Sequence, residues 1–266
     1  MQLPRVLLLE DDPAVRLFVQ MALEPLALEV VPCSTLAEAR QALADCDIRL
    51  VFTDLRLPDG SGLDLLQWLQ DRARSTGVAC RIVVFSGGID PAMECRLQAL
   101  QVWRVLRKPA SVASLIACVS DALAADTQAG PAVAEPPGPD PVADFFVGNR
   151  PLYDAYRSAC LAQFPKDLNA GDIAVRVGDA QALRRVAHNL TSVLAILGSE
   201  PAALVARQTE DAAEKGDMAQ MRSNWLLLRE HLLQLKFTTD PREVLHPLRW
   251  TACVLASKAS GLAAGE

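Results

Sequence analysis

At 266 residues the chain is long enough for one large or two medium domains. Hydrophobic residues make up 51% and aromatic ones only 5%, so its cores must be built mainly from Leu, Val and Ala. A net charge of −6 and a pI near 5.2 exclude a nucleic-acid-binding surface as its main business, and no charge-free apolar run approaches the ~18 residues needed to insert a helix in a membrane.

The opening MQLPRVLLLEDD is too short and too quickly acidic for a secretory signal. Short runs rich in β-branched residues follow: RVLLLE (5–10), LEVVPC (28–33), IRLVFTD (48–54), RIVVFSG (81–87) and VWRVL (102–106) read as strands. Helical patterns alternate with them: PAVRLFVQMALEPL, TLAEARQALADC, GLDLLQWLQDRAR, DPAMECRLQALQ and SVASLIACVSDALAA. Such β-α repeats predict an α/β doubly wound, five-stranded parallel sheet over residues 1–125, covered on both faces. Ligands of such sheets gather at the carboxyl ends of the strands.

Residues 126–143 form a Pro-rich stretch with almost no bulky apolar side chains, which reads as a semi-extended linker. After it no strand signal survives. Helical patterns at 149–163, 165–177, 179–197, 201–215 and 217–236 predict an all-α bundle over 144–237. Asp179 and Asp217 mark helix starts, and Gly178, Gly198 and Gly216 mark stops. The tail, 238–266, has Pro241 and Pro247, no clear period and no assigned role. The seven cysteines (33, 46, 80, 95, 118, 160 and 253) fit neither a zinc site nor a disulfide framework. The expectation is a reduced, cytoplasmic protein.

The predicted strand ends carry a coherent set of groups. The first ends in Glu10-Asp11-Asp12, the third in Asp54, the fourth in Ser86-Gly87-Gly88 and the fifth in Lys108-Pro109. Clustered carboxylates suit Mg²⁺, a hard cation that keeps most of its waters. A metal and a lysine neutralise phosphate oxygens, while a carboxylate can attack phosphorus to form an acyl phosphate. Any one of these residues alone reads as a surface charge; the four strand ends together point to phosphoryl chemistry.

On the motifs LLLEDDPAVR, VFTDLRLPDGSGLDLL, VVFSG and LRKP, the first ~125 residues resemble a response-regulator receiver domain, which implies a flavodoxin-like fold. The resemblance implies that Asp54 is the phosphoacceptor. It implies that Glu10, Asp11 and Asp54 hold Mg²⁺ with the backbone carbonyl of Arg56, that Ser86 senses the phosphoryl group, and that Lys108 pairs with it. Asp12 falls outside that ligand set, and the Lys108-Pro109 bond is expected to be cis. Receivers place Tyr or Phe three residues before the lysine; here that position is Val105, with Trp103 two residues earlier. The usual readout through a swinging ring is therefore not expected.

The helical half holds His188, one of three histidines in the chain. At about 100° per residue, Leu183, Val186, Leu190, Val193, Leu194 and Leu197 gather on one side of its helix. His188 points away from them, sharing a polar face with Gln181, Arg184, Arg185, Thr191, Ser192 and Ala195. By itself that pattern describes a solvated surface histidine. The stretch LRRVAHNLTSVLAILGSEPAALVARQTEDAAEKGD, however, resembles a histidine-containing phosphotransfer (HPt) domain, with Ala187, His188, Leu190, Gly198, Leu204 and Gly216-Asp217 at matching positions. The resemblance implies that His188 accepts or donates a phosphoryl group from an exposed position. Arg184 and Arg185 on the same face would attract phosphoryl oxygens or an acidic receiver. The family's lysine three residues after the histidine is Thr191 here, and the glycine that follows it is Ser192. His231 and His246 have no such surroundings and read as ordinary surface or packing residues.

The leading expectation is a two-component phosphorelay protein in which Asp54 and His188 are both phosphoacceptors. Its chemistry is phosphotransfer with self-phosphorylation rather than multiple-turnover catalysis. Its partners are a sensor histidine kinase, another receiver or an HPt protein. The alternative is a phosphorylation-gated scaffold whose helical half binds a partner and whose His188 is vestigial. An acyl-phosphate hydrolase ranks last, because Asp54-Leu55-Arg56 lacks a second acid two residues on.

Overall fold

The computed structural model describes residues 3–77, 80–124 and 140–236. Most of the Pro-rich linker and the tail, with His246 and Cys253, lie outside them. The described residues fall into two compact units, one up to Gln163 and one from Phe164.

The first unit opens with β1 (Arg5–Leu9), α1 (Pro13–Leu23), β2 (Glu29–Cys33), α2 (Leu36–Asp45) and β3 (Ile48–Thr53). A short hairpin follows, β4 (Arg56–Leu57) with β5 (Gly60–Ser61), then α3 (Gly62–Thr76), β6 (Arg81–Ser86), α4 (Pro91–Ala99), β7 (Arg104–Arg107) and α5 (Val112–Leu123). The five long strands form one sheet of order β2-β1-β3-β6-β7, all parallel. Central strands are buried on both faces, which is why β1 and β3 read as continuous apolar runs instead of alternating ones. Strand order reverses at β1, with β2 on one side and β3 on the other, so a crevice opens at the carboxyl ends of β1 and β3.

Local chemistry fixes where the helices begin. Asp12 caps α1, accepting from the backbone of Ala14 and Val15, with Pro13 as the first helical residue. Ser61 and Asp64 form a reciprocal capping box on α3. The last strand starts two residues later than its sequence suggests. Val102 N–H closes the end of α4 on the Leu97 carbonyl before the ladder begins. The β4–β5 hairpin was not anticipated; its strands are too short for a periodic signal.

Two further elements follow: α6 (Pro141–Phe146) and α7 (Arg150–Val177). Within the first unit Phe18 of α1 meets Phe146 and Tyr156, with ring centroids 5.4 and 5.3 Å apart. Phe18, Phe146 and Tyr156 are each fully buried. The second unit contains the rest of α7, then α8 (Ala180–Ile196), α9 (Glu200–Lys215) and α10 (Met218–Gln234). Sequence spacing predicts a break between 163 and 165, but α7 runs unbroken through Pro165. A proline inside a helix costs about 3 kcal/mol. Burial of Phe164 and Leu168 on either side offsets it at roughly 1.5–3 kcal/mol each. A close contact defines the packing of α10: the Trp225 ring lies against the backbone of Gly171, and its indole N–H donates to Asp172 at 2.8 Å.

Candidate functional site

Two separate clusters emerge, one in each unit. In the first, parallel pairing sets Leu9 opposite Thr53, so Glu10 and Asp54 are the first residues past adjacent strands. Asp54 N–H donates to the Leu9 carbonyl at 2.9 Å. The register thus brings together carboxylates that stand 44 positions apart in the sequence. One oxygen from each of Glu10, Asp11 and Asp54 lies within 4.8 Å of the others, a set of hard donors that fits a small divalent cation.

Lys108 arrives from the far side of the sheet. Ser86 and Arg107 are paired across β6 and β7, and Lys108 N–H donates to the Ser86 carbonyl at 3.1 Å. The Lys108-Pro109 bond is cis, as expected. The Lys108 ammonium passes 5.1 Å from the Phe85 ring centre and donates to Glu10 Oε2 and Asp54 Oδ2, each at 2.6 Å. All three side chains are almost wholly buried. Burial raises the Glu10 pKa; Lys108 opposes that shift and the neighbouring Asp54 charge adds to it. Burial alone would lower the Lys108 pKa, yet Asp54 and Glu10 together raise it, so the ammonium stays charged. Ser86 is buried at the end of β6.

Several supports of this cluster were not singled out from sequence. Arg16 donates to the backbone carbonyls of Glu10 and Asp11, fixing the acidic turn. Asp59 accepts from Leu36 and Ala37 N–H at 2.9 and 3.1 Å, tying the loop after Asp54 to the start of α2. A Cβ at Gly62 would lie 2.2 Å from the Asp54 carbonyl oxygen, so only glycine lets α3 start this close to the acceptor. Asp12 is the N-cap of α1. Of these, the Asp-Pro cap and the glycine in DGSG left a local trace. The Arg16 and Asp59 contacts did not, because they depend on backbone geometry elsewhere.

Val105, in the ring position, packs against the core cluster beneath the sheet. Trp103 has the Arg104 and Arg81 guanidinium carbons 4.4 and 5.6 Å from its ring centre.

In the second unit His188 is less open than its helical face predicts: its side chain is 15% exposed. The reason is α9, which lies along the polar edge of α8. His188 Nδ1 meets Glu210 Oε2 at 3.1 Å, and Arg184 meets Glu214 at 3.1 Å one turn earlier. Ser192 and Ala195, expected on an open surface, are buried. The Thr191 hydroxyl donates to the Ala187 carbonyl at 2.9 Å. An ionised carboxylate can only accept, so Nδ1 is the ring nitrogen placed to donate to Glu210, leaving Nε2 as the nitrogen turned away from that contact. Glu210 stands 22 residues from His188 on another helix, and no local pattern announces it. His231 is half-buried, and burial lowers its pKa.

Comparison with known proteins finds two family matches, one over each cluster. The response regulator receiver domain family matches residues 6–120, and the Hpt domain family matches 155–237. The response regulator protein PilR of Pseudomonas aeruginosa is 36% identical over 121 residues, covering 45% of this chain and 26% of PilR. The transcriptional regulatory protein FixJ of Azorhizobium caulinodans is 30% identical over 122 residues, 46% of this chain and 56% of FixJ. The chain thus spans about a quarter to a half of these relatives. Among solved structures, chemotaxis response regulator CheY4 of Vibrio cholerae is 18% identical with a TM-score of 0.41, covering 46% of this chain and 100% of CheY4. No helix among the described residues is long and apolar enough to cross a membrane. The chain carries a response regulator receiver domain over residues 6–120 and an Hpt domain over 155–237.

Proposed function

We propose that the chain is a cytoplasmic two-component phosphorelay protein in which Asp54 and His188 each accept a phosphoryl group. The observation that carries the reading is the meeting of Glu10, Asp11 and Asp54 under one lysine at the switch point of a parallel sheet. Its domains are a receiver (1–125), a linker (126–143) and a phosphotransfer bundle (144–237). Its partners are a sensor histidine kinase, another receiver or an HPt protein.

An Asp54 carboxylate oxygen attacks the phosphorus of a donor phosphohistidine. The new O–P bond forms as the N–P bond breaks and the donor imidazole leaves. Glu10, Asp11, Asp54 and the Arg56 carbonyl would hold Mg²⁺, which when bound neutralises phosphoryl oxygens and holds them in line for displacement. Lys108 turns its charge from Glu10 and Asp54 toward the incoming oxygens, and Ser86 donates to them. At the second centre, the His188 Nε2 lone pair attacks the acyl phosphate of a receiver, and the aspartate leaves as carboxylate. The ring becomes cationic with its proton still on Nδ1, facing Glu210.

The limited exposure of His188 favours one competing reading, a scaffold gated at Asp54 with a vestigial histidine. Chemical stability of the label separates the two. Protein loaded from a phosphorylated receiver should carry a base-stable, acid-labile label that His188→Gln abolishes. Acetyl phosphate with Mg²⁺ should give a base-labile label that Asp54→Asn abolishes. Absence of the first label with the second intact would establish the scaffold.

A further inference from the structure

On the reading of His188 as a phosphoacceptor, its phosphoryl group needs a cation, and residue 191 is a threonine with no charge to give. Two arginines compete for the role, and the structure separates them. α8 and α9 run side by side with acidic residues of α9 facing basic residues of α8: Glu214 meets Arg184, and Glu210 meets His188. These contacts repeat at one-turn intervals on both helices, so Arg184 and His188 share a single seam. Helical side chains lean toward the helix N-terminus, which tilts the His188 ring over the turn that carries Arg184. Arg185 lies on the other flank of the histidine on the helical wheel and is exposed.

The Arg184 guanidinium is poised and incompletely engaged. Its Nη2 rests on Glu214 Oε1 at 3.1 Å, with the arginine 35% and the glutamate 60% exposed. Its Nε, shielded from solvent, has no hydrogen-bond partner among the described residues. That donor belongs to the side chain one helical turn before the predicted phosphoacceptor, and an anion reaching the guanidinium as it turns outward would satisfy it. Glu214 holds the group near His188 without enclosing it.

We propose that Arg184, positioned by Glu214, is the catalytic cation of the His188 centre: its guanidinium binds the phosphoryl oxygens as they transfer to and from Nε2, the charge role that Thr191 leaves empty. Planar guanidinium groups suit phosphoryl oxygens because two parallel N–H bonds can form. The assignment rests on the phosphotransfer reading above and adds to it the residue that stabilises the charge.

The test uses the full chain carrying Asp54→Asn, so that only histidine labelling remains, with potassium phosphoramidate as the phosphodonor. Base-stable label at His188 is followed over time by mass spectrometry, with His188→Gln as the blank. Arg184→Ala should slow labelling by about tenfold to a hundredfold, the worth of a charge-assisted contact. Arg185→Ala should stay within about twofold. Adding Thr191→Lys to Arg184→Ala should restore most of the rate, which a merely structural loss would not allow. Normal labelling of Arg184→Ala, an equal loss in Arg185→Ala, or failure of Thr191→Lys to rescue would each overturn the assignment while leaving His188 as acceptor. No labelling of His188 in the Asp54→Asn parent beyond that of the unfolded chain would overturn the acceptor role as well.

Discussion

Gly171 offers the sharpest test of the packing in the helical unit, because two simple arguments give opposite signs. In an exposed helix, Gly→Ala stabilises by up to about 1 kcal/mol. Here a Cβ on residue 171 would lie 2.0, 2.1 and 2.6 Å from three ring carbons of Trp225, against roughly 3.5–4.0 Å for a relaxed carbon contact. The ring cannot retreat freely. It is 1% exposed, and its indole N–H is anchored on Asp172 at 2.8 Å. Forcing it aside strands a buried donor at about 1–3 kcal/mol, and overpacking adds about 1–3 kcal/mol. After subtracting the propensity gain, Gly171→Ala should destabilise the unit by about 3 kcal/mol. For a domain of this size that lowers the melting temperature by roughly 12–24 °C. Differential scanning calorimetry reads the shift directly. A cycle with Trp225→Leu should show strong coupling, the alanine costing far less once the ring is gone. Equal or greater stability of Gly171→Ala would refute the contact and the reasoning built on it.

Other substitutions separate roles that neighbouring residues hold. Asp12→Ala should cost about 1 kcal/mol in urea unfolding through loss of the α1 cap, yet leave Mg²⁺ affinity within about twofold. Asp11→Ala should lower that affinity at least about tenfold in a calorimetric titration; equal losses in both variants would refute the division. Glu210→Ala should release the Nδ1 proton of His188, seen as a tautomer change in imidazole ¹⁵N spectra, and slow transfer about tenfold, while Glu210→Gln keeps an acceptor and most of the rate. Among the cysteines of the described residues, a thiol reagent near neutral pH should modify exposed Cys95 first. Burial pushes the Cys33 and Cys118 thiols up to about 11, so their thiolate fraction grows only as pH climbs toward that value. Rapid neutral-pH modification of either, read by peptide mass spectrometry, would contradict their burial.

The receiver half was largely legible because its signals are local. Runs such as IRLVFT and RIVVFS read as buried parallel strands, and the residues that follow such strands are placed by topology. Alternation of the elements implies a parallel sheet, whose strand ends can meet; the strand order that brings Glu10, Asp54 and Lys108 together is seen in the structure. The helical half was less legible. Pro165 looks like a helix breaker, and only burial of its neighbours shows why it is not. The polar face around His188 looked open because a helical wheel cannot know that α9 lies along its edge. Glu210, Glu214 and Asp59 act across 22 to 30 residues through contacts that tertiary packing alone creates.

Trp103 lies beneath two guanidinium groups that are themselves fastened, Arg81 to the carbonyls ending α5 and Arg104 to Asp121. Val105 is too small to serve as a lever in its place. The edge strand is therefore a locked rail, and a phosphoryl group arriving at Asp54 finds no aromatic pointer there to turn. On the proposed function this suits a messenger that passes on its cargo: what a downstream protein receives is the phosphorus itself, not a change of outline on that edge.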